Sequence, residues 1–180
     1  MNCVPENPAR PAPFGSLWKP DTIDVIKVTI LIPAYNEQST IVPLLEEVSK
    51  QKIDGFDLEI LVIDDGSTDG TVALIEARPE LYTKLIKRPR NGGKGAAVVN
   101  GLAEATGDYI LFQDADLEYD PNEYTKIFAP VSRFSADVVI GSRFIAPEYT
   151  RVSYFWHKMG NRVLTFVFNI LNNTTFTDIY

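Results

Sequence analysis

From Lys27 to Ser142 the chain alternates short apolar runs with amphipathic stretches, and this alternation restricts its fold more than any other feature. The runs KVTILIP (27–33), DLEILVID (57–64), YTKLIKR (82–88), GDYILFQD (107–114) and ADVVIGS (136–142) are rich in β-branched and aromatic residues and read as strands. Between them, 39–51, 69–80, 95–105 and 121–134 carry apolar residues at helical spacing. Ser39 is placed to cap the first of these helices, Pro43 suits its first turn, and Pro121 suits the start of the last. Near-continuous apolar strands separated by helices predict an α/β fold, a mostly parallel sheet with helices on both faces. Ligands of such sheets bind beyond the carboxyl ends of the strands.

The polar clusters fall at those ends. PAYNE (33–37) follows the first strand, DDGSTDGT (64–71) the second, RPRNGGKG (88–95) the third, DADLE (114–118) the fourth and GSRF (141–144) the fifth. A solvated rim requires polar loops, but not this recurrence of acids and glycines at every strand end.

Bulk properties exclude several functions. At 180 residues and 45% hydrophobic content the chain suits one globular domain. A net charge of −7 argues against nucleic acid as a partner. Cys3 is the only cysteine, so neither an internal disulfide nor a thiolate-rich zinc site is available, and a reducing compartment is expected. His157 is the only histidine and lies far along the chain from the acids, a poor basis for a nucleophile–histidine pair. Residues 1–22, with Pro5, Pro8, Pro11, Pro13 and Pro20, read as an extended arm ahead of a domain spanning 23–180. No apolar run approaches the roughly 20 residues that span a bilayer.

FQDADLEYD (112–120) crowds Asp114, Asp116, Glu118 and Asp120 directly after an apolar strand, where like charges repel. Asp114 and Asp116 are two apart in extended chain, so both side chains point one way and can approach one divalent cation. Carboxylate oxygens with water in the remaining positions suit Mg²⁺ or Mn²⁺. Such a cation would hold a nucleotide's diphosphate and offset the charge that develops as it leaves. Asp64 and Asp65 end the second strand, where a carboxylate can accept bonds from a ribose hydroxyl or a base N–H. Asp65 is the expected ligand contact and Asp69 the structural one, with Ser67 and Thr68 as other candidate caps. In RNGGKGAA a P-loop fails because Gly95 stands where Ser or Thr must follow the lysine. A dinucleotide fingerprint fails because its third small position would be Val98. The glycines instead let the backbone approach a donor closely, with Lys94 or Arg90 near its base or phosphates.

In order and spacing, VTILIPAYNE, VIDDGSTDGT, NGGKGAA, GDYILFQDADLEY and DVVIGSRF resemble a family 2 glycosyltransferase of GT-A fold, over roughly residues 27 to 145. The polyprenyl-phosphate branch, dolichyl- and undecaprenyl-phosphate sugar transferases, is the most similar. The resemblance implies inverting transfer of a sugar from a UDP- or GDP-linked donor. It implies that Pro33, Tyr35, Glu37, Ile63 and Asp65 hold the nucleotide, that Asp114, Ala115 and Asp116 bind donor and metal, that Glu118 adds to the metal shell, and that Arg143 faces the phosphates. A lipid-phosphate acceptor is already ionised and needs no general base. A hydroxyl acceptor needs one, for which Asp178 is the candidate. Members of this branch continue well past the point matching Tyr180, so truncation and a donor-binding fragment without turnover are both expectations.

The segment 153–173 (SYFWHKMGNRVLTFVFNILNN) reads as an amphipathic helix with more apolar residues than one narrow stripe requires, beside a basic patch of Arg151, His157, Lys158 and Arg162. It suits a membrane interface beside a lipid acceptor, a second copy of the chain, or the interior of the protein. The resulting expectation is a cytoplasmic enzyme, peripheral at the inner face of a membrane.

Overall fold

A computed structural model describes residues 25–141 and 155–173. The arm at 1–22, Arg143 and Asp178 lie outside the described residues. The described residues form two units, one ending at Asn122 and one beginning at Glu123.

The first unit carries β1 (Ile26–Ala34), α1 (Ile41–Lys50), β2 (Phe56–Asp64), α2 (Thr71–Glu76), β3 (Lys84–Lys87), α3 (Lys94–Glu104) and β4 (Tyr109–Phe112). The strands form one parallel sheet in the order β3-β2-β1-β4. β1 pairs with β2 from Ile26 opposite Phe56 to Ala34 opposite Asp64, and its other edge takes Tyr109–Phe112 against Val28–Leu31. The chain thus runs outward from β1 to β3, then returns across the sheet to place β4 on the far side of β1. Adjacent loops leave in opposite directions at that reversal, which opens a crevice at the carboxyl ends of β1 and β4.

Strand parity divides the core. Leu31, Leu61 and Ile63 turn to one face and form a fully buried cluster with Ala97 of α3, joined by Ile86 and Ile110. Ile30, Ile32 and Val62 turn to the other face and are equally buried. α1 buries Ile41, Leu44, Leu45 and Val48 as its apolar stripe. Gly101 lets α3 come close to the sheet: a Cβ there would stand 2.8 Å from Ile63 Cδ1.

Four expectations about elements need correction. Residues 136–141 form no strand, and Val138 and Ile140 are exposed, because a β-branched run becomes a strand only where a partner completes its backbone bonds. The second helix stops at Glu76 instead of 80. Arg78 precedes Pro79, whose ring disfavours the helical region, and Arg78 leaves it at φ −131°, ψ 56°. Ser39 caps nothing; α1 starts after Thr40, whose hydroxyl turns back to the Glu37 carboxylate at 2.7 Å. The helix expected at 121–134 opens with a 3₁₀ turn over Pro121–Glu123 before its α-helical part.

That part, α4 (Tyr124–Phe134), belongs to the second unit. It buries Tyr124, Phe128 and Val131 and closes on Ser135 in the left-handed region at φ 51°. The rings of Tyr124 and Phe128 stack at 5.9 Å. α5 (Phe155–Asn172) lies within the amphipathic segment read from the sequence, yet it buries Asn161 and Thr165 and exposes Trp156, Val163, Phe166 and Leu171.

At the amino ends of the strands a buried carboxylate joins three elements. Glu59 accepts the Thr29 hydroxyl at 2.5 Å, the Thr106 N–H at 2.9 Å and the Thr106 hydroxyl at 2.6 Å, with Lys27 Nζ at 3.3 Å. Burial alone would push its carboxyl up. The bonds from Thr106, Thr29 and Lys27 outweigh that and hold it at about 2, below the ordinary 4.5. A depressed value stabilises the fold at pH above the unfolded-state value, and that stability is lost as pH falls toward 2. Glu59→Gln should therefore cost about 3 kcal/mol at pH 7. In urea melts across pH, the gap between the two proteins should narrow steadily as pH falls from about 4.5 to about 2. Beside this group, a Cβ on Gly107 would stand 2.6 Å from the backbone N of Thr29, an atom the sheet holds in place. Gly107→Ala should cost about 1–3 kcal/mol in the same melts.

Candidate functional site: a carboxylate-lined cleft at the strand reversal

The crevice between the ends of β1 and β4 is an open cleft of about 260 Å³. Pro33, Ala34, Tyr35 and Glu37 line it from β1, Asp65 from β2, and Asn91, Gly93, Lys94 and Ala97 from the β3–α3 connection. Asp114, Ala115 and Asp116 line it from the loop after β4. This volume is close to the lower end of the range for small-molecule sites.

The loops around the cleft are bonded to one another. Asn36, in the left-handed region at φ 58°, accepts the Thr68 N–H at 2.8 Å, and its own N–H donates to Ser67 Oγ at 3.0 Å. The Glu37 N–H donates to Thr71 Oγ1 at 2.8 Å. These bonds fix the β1 loop on the β2 loop.

The three aspartates of DDGSTD divide the remaining work. Asp64 folds its own turn, accepting the N–H groups of Gly66 at 3.1 Å and Ser67 at 3.2 Å. Asp69 caps α2 through the hydroxyl and N–H of Thr71, and the hydroxyl bond is the main reason its carboxyl lies below the ordinary value. Asp65 reaches across to the glycine-rich loop, pairing with Arg88 and accepting the N–H of Gly92 at 3.1 Å and of Gly93 at 2.7 Å. Gly66 permits this crossing. It sits at φ +75°, and a Cβ there would meet the Arg90 backbone at 2.7 Å.

On the opposite wall, Gln113 is buried and donates to the carbonyls of Asp114 and Tyr119, both at 3.1 Å, so the acidic loop folds back on β4. Asp116 Oδ1 accepts the Glu118 N–H at 3.0 Å, with Leu117 left-handed at φ 63°. Asp114 pairs with Lys94, the first residue of α3. Among the described residues no three acidic, imidazole or thiol side chains converge as a metal-holding group, so Asp114, Asp116 and Glu118 form no closed cage. Two carboxylates on an open wall still fit a hard divalent cation that takes its other oxygens from a bound phosphate and water.

Of the residues singled out from sequence, Pro33, Tyr35, Glu37, Asp65, Lys94, Asp114, Ala115 and Asp116 share this one cleft. Ile63 is fully buried in the α3-facing core, so its side chain does not line the cleft. Glu118 lies on the exposed turn after it, and Arg90 is not on its wall. Sequence reasoning passed over Arg88, Asn91 and Gln113. The signal for Arg88 was present in the chain: a cation at the close of the third apolar run, at the same end of its strand as Asp64 and Asp65 are of theirs.

The model of the family described as Glycosyl transferase family 2 matches residues 29–178. The Dolichol-phosphate mannosyltransferase of Pyrococcus furiosus is 34% identical over 121 residues, which cover 67% of this chain and 34% of that protein. The Dolichyl-phosphate beta-glucosyltransferase of Dictyostelium discoideum is 37% identical over 134 residues, covering 67% and 41%. The chain thus spans between a third and a half of the length of the curated relatives it matches. Among solved structures, S. aureus TarS 1–349 in complex with UDP-GlcNAc superposes with a TM-score of 0.53 at 28% identity, over 59% of this chain and 31% of that one. The M. tuberculosis glucosyl-3-phosphoglycerate synthase, in complex with Mn²⁺, UDP and phosphoglyceric acid, gives 0.50 at 27% identity, over 59% and 39%.

Removing Asp65 should strand the Arg88 guanidinium, which is itself mostly buried, beneath the glycine-rich loop. Asp65→Ala is expected to cost about 3 kcal/mol in denaturant melts. It should also speed amide exchange at Gly92 and Gly93, while the Gly66 and Ser67 amides, held by Asp64, keep their protection.

Proposed function

The chain belongs to glycosyl transferase family 2 and has a GT-A-like fold, and from that premise we propose that it transfers a sugar, with inversion, from a nucleotide-diphosphate sugar to a polyprenyl phosphate. The observation that carries this reading is the cleft, which residues from β1 and β2 share with a pair of carboxylates after β4. The named activities of the two dolichol-linked relatives support the acceptor.

In this reading Pro33, Tyr35, Glu37 and Asp65 surround the nucleoside, with Ile63 supporting them from below, and Ala115 allows close approach of the sugar. Asp114 and Asp116 would hold Mg²⁺ or Mn²⁺, and Glu118, on the turn that follows them, would add to its shell. A cation bound there would supply positive charge to a departing diphosphate. Arg143 grips phosphate oxygens. An oxygen of the lipid phosphate attacks the anomeric carbon from the side opposite the diphosphate. The new C–O bond forms as the bond to the diphosphate breaks, and the nucleoside diphosphate leaves with the electron pair. That oxygen is ionised at neutral pH, so no side chain has to take a proton. Asp178 becomes a general base only if the acceptor is a saccharide or protein hydroxyl.

The exposed apolar residues of α5 suit contact with a membrane interface, and in this reading the enzyme works as a peripheral protein at the cytoplasmic face of a membrane. A second chain covering the same residues is the competing occupant. Among the described residues no helix is long and apolar enough to cross a membrane.

A second reading, donor binding without turnover, is favoured by one observation. Every residue lining the cleft lies between Pro33 and Asp116, within the first unit.

Titration calorimetry of the chain with UDP-glucose, GDP-mannose and UDP-N-acetylglucosamine, with and without Mn²⁺, tests both. One donor should bind in a metal-dependent way. Asp116→Ala should weaken that binding by about a hundredfold, since even residues that only support metal ligands command 10- to 100-fold. Binding of every donor at equal strength in wild type and variant would refute the proposal. Sugar transfer to a polyprenyl phosphate in detergent then separates catalysis from binding alone.

A further inference from the structure

Lys94 is the only cation among the described residues lining the cleft, which it shares with the carboxylates of Glu37, Asp65, Asp114 and Asp116. Two of those acids are already engaged: Asp65 by Arg88 and two backbone N–H groups, Glu37 by the Thr40 hydroxyl. The Lys94 ammonium therefore sits on Asp114, one of the two acids that fit a metal. The pair is open to solvent. The lysine side chain is 63% exposed, and it extends from the first residue of α3.

We propose that Lys94 is a displaceable counter-ion of the donor site. It neutralises Asp114 while no divalent cation is bound, and it moves onto the diphosphate oxygens once the metal and donor arrive. This rests on the nucleotide-sugar reading and adds to it a residue with two successive partners. A divalent cation taken up by the Asp114 carboxylate repels an ammonium at contact with the same group and so weakens the pair. Exposed ion pairs are weak, so little opposes the release. A diphosphate then presents denser negative charge within reach of the same stem, and a compact ammonium suits it as a point charge.

The two partnerships predict effects of opposite sign from one substitution. Free Mn²⁺ can be followed by its paramagnetic resonance in titrations of the wild-type chain, Lys94→Met and Lys94→Arg, with UDP and GDP then titrated at saturating Mn²⁺. Lys94→Met should bind Mn²⁺ alone about three- to fivefold more tightly, the scale on which an exposed ion pair competes. It should bind the nucleoside diphosphate about tenfold more weakly, as expected for one lost charge-assisted contact. Lys94→Arg should bind Mn²⁺ alone more weakly than wild type, because a guanidinium grips a carboxylate through two parallel bonds, and should retain the nucleotide. Unchanged Mn²⁺ affinity in both variants, or a parallel loss of Mn²⁺ and nucleotide in Lys94→Met, overturns the inference and leaves the donor-binding reading standing. A wild-type chain that takes up neither Mn²⁺ nor nucleotide overturns both. The arginine variant keeps the test decisive even if the methionine variant folds poorly.

Discussion

The parallel pairing of β1 on both of its edges is the constraint on which the rest of the described domain depends. A parallel strand needs a crossover to reach its neighbour, and each crossover must bury a helix against the sheet. With β2 on one side and β4 on the other, β1 cannot be reached by solvent from either edge, and its residues from Val28 to Ile32 are wholly apolar apart from Thr29. Thr29 is tolerated because Glu59 and Gly107 complete its hydrogen bonds. The same double pairing sends the loops after β1 and β4 apart. The cleft is thus a consequence of strand order before it is a consequence of any side chain.

Hydrogen bonds then convert four separate loops into one wall. Parallel strands leave their carboxyl-end loops without a ladder, so those loops must find partners in side chains. Asp64, Asp65 and Asp69 lie within six positions and point to three different destinations: their own turn, the next loop and the next helix. Asp65 is the most consequential of these. Its carboxylate holds the glycine-rich loop against the sheet end and at the same time presents a face to the cleft. A residue that shapes the site and lines it is poorly placed to be exchanged for anything else.

The charge balance of the cleft follows from the same economy. Asp65 has Arg88, and Asp114 has only a lysine that is largely in solvent. Asp116 spends one oxygen on its own turn. The acidic wall is therefore compensated enough to fold and not enough to be inert. That is the state expected of a site whose final counter-charge arrives with its ligand.

Much of this was legible in the chain. Near-continuous apolar runs separated by helices suit a parallel sheet covered on both faces, and glycines and acids at successive strand ends point to one rim; eight of the residues chosen from those ends and from the family resemblance share one cleft. The exceptions have physical causes. Ile63 belongs to a motif that lines the site, but parity turns its side chain into the core under α3. The apolar run at 136–142 has strand composition, but strand formation requires a partner that composition does not supply. Ser39 has the right chemistry for a cap and the wrong place, because α1 starts at Ile41 and puts Thr40 in the cap position. What the sequence by itself determined was the order of elements and the kinds of groups at their ends, since both follow from local periodicity and residue chemistry. Only the tertiary structure decided which groups meet. Arg88 with Asp65 and Lys94 with Asp114 are separated by about twenty residues of chain, and nothing local sets a distance across a crossover.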